Sequence, residues 1–485
     1  MRSIINFLKE EKLMFIFWTS FIFLYSINLL RFPIFQDEGE FLFLVEKIIQ
    51  SPAHNFFVSL NQGIMPVYIW AIYFVSKITS DTLLAGRLVN VICASTMFPL
   101  FILFGSLYKL PKRFANYCSF IFFFSPLVLL LIRISLLDMS VMVFVSWYLY
   151  FAASYFKKKQ VKYLVFHLVF FLLAFFTKAT AVFGIPPIVF LVLSSLQKDR
   201  ITKEVKFLTV SYLIIGILMF FFIKFFGRYF IFDSGLSLIF NLNRNQIFLK
   251  IKSNIWLLFH WLKVYYWPYI LLIILGLFVI RNINNRQLVF LLVFWGAFSL
   301  ISIVILNRYF YPRHVLMVVI PLIAIVSLIL SKFNSSTALL LATLLVLGNL
   351  NLFKDILLHP EDSHIALEDN FQYFEDFTSG KNISVISRKI REVAGNKKIV
   401  LWLDGTWVME YGLRREFKNA DNIIFKSYGL NLESVKTDIS RVEKINSYPN
   451  YLLVNRTQPV TNSQLKLIMD FPVSFRLSQK LYLLN

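Results

Sequence analysis

A chain of 485 residues that is 58% hydrophobic, with a mean hydropathy of +0.67, holds more apolar surface than one water-soluble domain buries. Lipid is therefore its main solvent, and a soluble globular enzyme is excluded. The net charge of +22 does not point to nucleic acid: residues 360–485 carry 17 Lys/Arg against 15 Asp/Glu, so the excess, 32 against 12, lies in residues 1–359 among the apolar runs.

A hydrocarbon core about 30 Å thick needs roughly 20 apolar residues per helix. In chain order, the runs predict eleven transmembrane helices at 12–30, 83–107, 114–133, 139–156, 161–177, 180–196, 207–226, 256–280, 288–306, 312–330 and 336–353. The apolar stretch 64–79 is short and carries Pro66, so it is a twelfth span or an interfacial helix. Charge decides between these. With 64–79 at the interface, the segments 1–12, 108–114, 157–162, 197–206, 281–287 and 331–334 share one side and hold 17 Lys/Arg in 46 residues. The opposite segments, 31–82 among them, hold 11 in 96. Basic loops stay in the cytoplasm, so the N-terminus is expected there, without a cleaved signal peptide. An odd number of spans then places residues 360–485 outside. Cys93 and Cys118 lie in apolar runs and offer neither a disulfide framework nor metal-ligand spacing.

The chain beyond residue 360 reads as a small α/β domain. Ile383, Ile386 and Ile390 fall at helical spacing, and the short apolar runs Ile399–Leu403, Ile423–Phe425 and Tyr451–Val454 read as buried strands. The expected organisation is thus a membrane domain, 1–359, with an outer loop at 31–82, and an extracytoplasmic domain, 360–485.

Only 12 acidic residues occur in residues 1–359, and three stand together in Gln36-Asp37-Glu38-Gly39-Glu40, just beyond the first helix. Such carboxylates are either ordinary loop charges or, near the membrane surface, a general base or a cation site. Asp138 lies between two apolar spans on the same predicted side. A carboxylate at that depth is costly and is usually functional or paired, here with Arg133 as the plain alternative. Lys178, Arg308 and Arg313 stand at the outer ends of helices, and Arg228, Arg244, Lys250 and Lys252 lie in the outer stretch 227–255. Each cation alone reads as a snorkelling side chain. Together with the carboxylates they suit a lipid-linked phosphate, cations holding the phosphate while a carboxylate takes an acceptor proton.

Several short motifs carry a resemblance. They are the acidic pair Asp37-Glu38, the Pro-aromatic stretch Met65-Pro66-Val67-Tyr68-Ile69-Trp70, Arg87-Leu88, Leu136-Leu137-Asp138, Thr177-Lys178 and Arg308-Tyr309. Gln372-Tyr373 followed by Thr378-Ser379-Gly380 completes the set. In this order and on one membrane side, they resemble glycosyltransferase family 39, which includes protein O-mannosyltransferases and the bacterial lipid A aminoarabinose transferase. The resemblance implies the multi-pass GT-C fold in a bacterial plasma membrane. It also implies inverting transfer of a sugar from a polyprenyl phosphate donor to an extracytoplasmic lipid, glycan or protein.

By this resemblance Asp37 is the catalytic base, with Glu38 beside it, and Asp138 is a second acidic site. Lys178 is the donor-phosphate contact, Arg308 and Tyr309 are further phosphate partners, and Arg133, Arg313, Arg228 and Arg244 are additional contacts. If a divalent cation takes part, Asp37 and Asp138 are its ligand candidates. The sequence departs from the pattern at Ile64-Met65, where many relatives carry a charged residue and a double proline, and at Phe377, where bacterial relatives often carry Trp. The readings set against this one are a transporter or flippase of lipid-linked intermediates, which would place charges at mid-helix in inverted repeats, and a polymerase or ligase of cell-surface glycans.

Overall fold

The computed structural model describes residues 12–195, 203–226, 244–280, 285–306, 310–403, 406–427, 448–455, 465–474 and 477–484. The chain forms two compact units, one of residues 1–29 and 51–366, the other of residues 30–50 and 367–485.

The first unit is a bundle of apolar helices. Among the described residues, seven helices are long and apolar enough to cross a membrane, and nine are if each of two bent pairs counts as one span. The bent pairs are Lys112–Phe123 with Pro126–Ile132, and Ser335–Leu347 with Leu350–Leu358, which turn by 59° and 48°. Two shorter apolar helices, Val161–Phe175 and Ile185–Ser195, stand where the spans 161–177 and 180–196 are expected. With 15 and 11 residues they fall short of spanning length, so the described residues give seven to nine spans against the eleven expected. Large side chains such as Phe23, Leu213, Trp256 and Phe259 stand at 64–69% exposure on these helices, and lipid is the solvent that covers them. Pro66–Thr79 is a helix of 14 residues, roughly 21 Å long, which is short of the hydrocarbon thickness. The helix expected to start at residue 256 instead begins at Arg244 and runs to Ile280, kinked at Tyr266 just before Pro268. No Gly or Pro stands in 244–265, so Lys250 and Lys252 are helical rather than in a loop.

Buried polar groups tie the bundle together. The His167 ring bridges Tyr148 O and Tyr212 Oη, at 2.8 Å to each, and Tyr148 Oη donates to Ala181 O at 2.8 Å. In lipid such groups have no water to fall back on.

The second unit is built on a five-stranded sheet: β1 Ile399–Leu403, β2 Ile423–Ser427, β3 Asn450–Asn455, β4 Leu465–Pro472 and β5 Ser478–Leu484, in the order β2-β1-β3-β5-β4. The first three strands are the predicted ones and run parallel; β4 and β5 pair antiparallel. β1 and β3 are buried along their whole length, which is why they read as unbroken apolar runs. Val400, Trp402, Leu452, Val454 and Tyr482 form one core cluster. The helix Ile383–Ala394 buries the three predicted isoleucines.

Residues 30–50 complete this unit. Phe35 bridges Ser379, Gln36 N donates to Thr378 O at 2.9 Å, and Gly380 N donates to Ile34 O at 2.8 Å. The helix Gln36–Gln50 packs against the helix Trp407–Glu416, where Gly39 faces the Trp407 carbonyl and the rings of Phe43 and Trp407 lie 5.0 Å apart.

Candidate active site

In the first unit, three breaks between helices hold the candidate residues. The break 133–136, ahead of the helix Leu137–Lys158, is pinned on all sides by buried groups. Asn90 Nδ2 donates to Ile134 O at 2.8 Å and to Leu136 O at 3.2 Å, and Tyr68 Oη lies 2.9 Å from Ser135 Oγ. These contacts set Asp138 in the first turn of its helix. Irregular backbone at membrane depth is tolerated only where protein satisfies it. Tyr68, from the Pro-aromatic motif, serves that purpose here.

The second break is Lys178 itself, extended at φ −160° and ψ 135° between the helix Val161–Phe175 and the short 3-10 turn Ala179–Gly184. Thr177 Oγ1 returns to Leu173 O at 2.7 Å, and Val67 N donates to Phe176 O at 3.1 Å, fixing the stretch from both sides. The third is the turn Pro312–Val315, where Pro312 starts a 3-10 helix leading into Leu316–Leu330.

These breaks converge. Lys178 Nζ lies 2.7 Å from Asp138 Oδ1, and Asp138, Lys178, Thr180, Arg313 and His314 line one cavity of about 70 Å³. His314 Nδ1 accepts the Tyr311 amide proton at 3.2 Å, which an imidazolium could not do, so the ring is neutral and carries its proton on Nε2. The cavity thus joins two fixed cations and a neutral donor to one carboxylate, a surplus of positive charge suited to a phosphate. His314 was not read from the sequence; it follows Tyr-Pro-Arg in a stretch with no apolar periodicity to single it out.

Arg133 does something else. The ion partner of Asp138 is Lys178, not Arg133 as the plain reading had it. Arg133 is buried, and its Nη2 donates to Ile27 O at 3.0 Å and Asn28 O at 2.8 Å. Arg87, equally buried, donates through Nη1 to Leu29 O. The two arginines meet carbonyls of the turn just past the C-terminus of the helix Lys12–Ser26, where cations also complement the helix dipole.

Asp37 and Glu38 belong to the second unit. Glu38 is fully buried, and its Oε2 accepts the Phe35 N–H at 3.2 Å, the reach-back of a capping box. Asp37 is half-buried in the same first turn. Gln36, next to it, is held at its amide by Thr378 and at its side-chain oxygen by Val408 N, 3.0 Å away. The Gln372-Tyr373 and Thr378-Ser379-Gly380 motif builds this seat: Ser379 Oγ donates to Tyr373 O at 2.6 Å, and the Tyr373 ring meets Phe35 edge-on at 5.1 Å. Burial, with the negative charge of Asp37 added, pushes the Glu40 carboxyl up to about 7.

Arg228, Arg308 and Tyr309 lie outside the described residues. Arg244 is the first residue of the helix Arg244–Ile280. Among the described residues, no group of three or more His, Cys, Asp or Glu side chains could hold a metal ion, and Asp138 has the Lys178 ammonium on its Oδ1.

A family model described as dolichyl-phosphate-mannose-protein mannosyltransferase matches residues 63–223, a stretch that contains Tyr68, Arg87, Asn90, Asp138 and Lys178. No curated protein matches the sequence. Two solved structures of ArnT from Cupriavidus metallidurans are similar along nearly their whole length. The apo state is 11% identical with a TM-score of 0.60, covering 96% of this chain and 97% of that one. The state bound to undecaprenyl phosphate is 11% identical with a TM-score of 0.61, covering 98% of each. At such identity the likeness is one of fold. The chain has the architecture of ArnT, and the resemblance to glycosyltransferase family 39 is borne out.

Proposed function

We propose that this protein is an inverting membrane glycosyltransferase, moving a sugar from a polyprenyl phosphate donor to an acceptor outside the cytoplasm. The observation that carries the reading is the cavity in which Lys178, Arg313 and His314 surround Asp138. In this reaction the acceptor oxygen attacks the anomeric carbon from the face opposite the phosphate, its proton passing to a carboxylate. The bond from the anomeric carbon to the phosphate oxygen breaks, and its electron pair leaves with the polyprenyl phosphate. The leaving group gains negative charge as the bond opens, so fixed cations favour the transition state over the ground state.

Lys178 and Arg313 hold the phosphate, with the His314 Nε2–H as a further donor. Asp138 positions Lys178 through their ion pair, and Asp37 is the base that takes the acceptor proton. The lysine-rich ends face the cytoplasm of a bacterial plasma membrane, and the sheet-bearing unit faces outward. Reporter fusions at Lys158 and Gly380 on the same side of the membrane would overturn this orientation.

The deciding experiment supplies membranes containing wild type or Asp37→Asn protein with a panel of labelled polyprenyl phosphate sugars, at matched expression. Transfer from one donor, lost in the variant, is expected. Full transfer by the variant would remove Asp37 from the role, and no transfer from any donor would remove the activity.

A further inference from the structure

The helix Leu137–Lys158 carries Asp138 in its first turn and Lys157 and Lys158 in its last. At 1.5 Å per residue, Asp138 and Lys157 stand roughly 29 Å apart, the thickness of a hydrocarbon core. The lysine end therefore lies at the opposite membrane face from the candidate phosphate cavity. It opens on a second cavity, of about 700 Å³, lined in part by Tyr108, Lys109, Tyr150, Lys157, Lys158 and Asn285. Three of its lining residues are lysines and none is a carboxylate.

The surroundings fix two of these groups. Lys157 Nζ sits 3.6 Å from the centre of the Tyr108 ring and 3.4 Å from Leu107 O, while Asn285 Nδ2 donates to Tyr108 O at 2.9 Å. Lys109 is exposed and adopts φ +52°, the left-handed conformation that a glycine would take without strain.

We infer that this cavity binds the phosphate headgroup of an anionic membrane phospholipid. A dissolved phosphate ion shares the chemistry, but the position of the cavity favours a lipid. It lies where the apolar helices Met97–Leu107 and Leu137–Lys158 end, so a headgroup can enter it while its acyl chains stay along the helices. Basic hollows at helix ends on the cytoplasmic side are suited to anionic headgroups, each lysine strengthening binding by about fivefold. The inference does not depend on the transfer reaction.

The test is thermal unfolding of the full-length protein in a neutral detergent, titrated with phosphatidylglycerol, phosphatidylcholine or inorganic phosphate. Phosphatidylglycerol is expected to raise the unfolding temperature, and the other two to leave it where it is. In Lys109→Gln/Lys157→Gln/Lys158→Gln protein the midpoint for phosphatidylglycerol should rise by on the order of a hundredfold. Lys109→Gly guards against damage to the fold: without lipid it should unfold no earlier than wild type, since glycine relieves the left-handed backbone, yet its lipid midpoint should rise about fivefold. An undiminished response in both variants would overturn the site. Equal shifts by the two phospholipids would overturn the charge recognition, and an equal shift by inorganic phosphate would assign the cavity to a free anion.

Discussion

Lys178 and Asp138, forty residues apart in the chain, meet at 2.7 Å between Nζ and Oδ1, with side-chain exposures of 27% and 13%. A lysine paired this closely is restrained, so its charge is already placed when a phosphate arrives. Lys178→Met removes that charge and takes away the direct ion partner of Asp138 in a nearly closed setting, which harms both transfer and folding. The double variant Lys178→Met/Asp138→Asn has no stranded charge. It is expected to regain the unfolding temperature of wild type while its transfer rate stays down by on the order of a hundredfold. Recovery of transfer along with stability would make the pair structural only.

Arg133 and Arg87 make a different prediction. Removing the Arg133 guanidinium takes away its part-buried hydrogen bonds to the Ile27 and Asn28 carbonyls, each worth about 1.5–3 kcal/mol with a charged donor. Arg133→Leu should lower the unfolding temperature and the folded yield in detergent. Arg133→Lys should restore only part of the loss, because an ammonium lacks the planar fork that reaches neighbouring carbonyls. A phosphate-binding role would instead show as a raised donor KM at normal stability.

How far the sequence alone could be read follows from these same residues. The apolar runs were legible because lipid demands length and hydrophobicity, and Asp138 and Lys178 were legible because charge stands out against apolar neighbours. The breaks that bring those two together were not, since 133–136 and 176–178 are held by single polar contacts from Asn90, Tyr68 and Val67 that leave no periodic trace. β1 to β3 were legible as apolar runs. β4 was not, being an edge strand with Leu465, Lys466, Leu467 and Asp470 interleaved, and neither was β5, which opens with Ser478-Gln479-Lys480. The placing of residues 30–50 with the sheet unit rests on backbone pairing between Phe35 and Ser379, for which side-chain pattern gives no signal.

Glu40 predicts a pH dependence. Its carboxyl is raised from 4.5 to about 7, so between these values the folded protein holds a proton that the unfolded chain has released. The stability associated with the protonated form is complete below about pH 4.5 and is lost as pH rises through 7. Glu40→Gln has no proton to lose. Its unfolding temperature should exceed that of wild type at pH 8 by more than it does at pH 5. Parallel curves across this range would show that Glu40 titrates normally.

Gly39 sets the last prediction. A Cβ at this position would stand 2.8 Å from the Trp407 carbonyl oxygen and 3.0 Å from its carbon, and both neighbours are backbone that cannot rotate away. The helix Gln36–Gln50, with Asp37 in its first turn, can therefore lie against Trp407–Glu416 only while residue 39 has no side chain. Gly39→Ala forces the helices apart and should destabilise the unit by about 1–3 kcal/mol, and Gly39→Val by more. The loosened helix should also be cut faster in limited proteolysis, within residues 36–50. Wild-type resistance in both variants would mean that the two helices do not need this close approach.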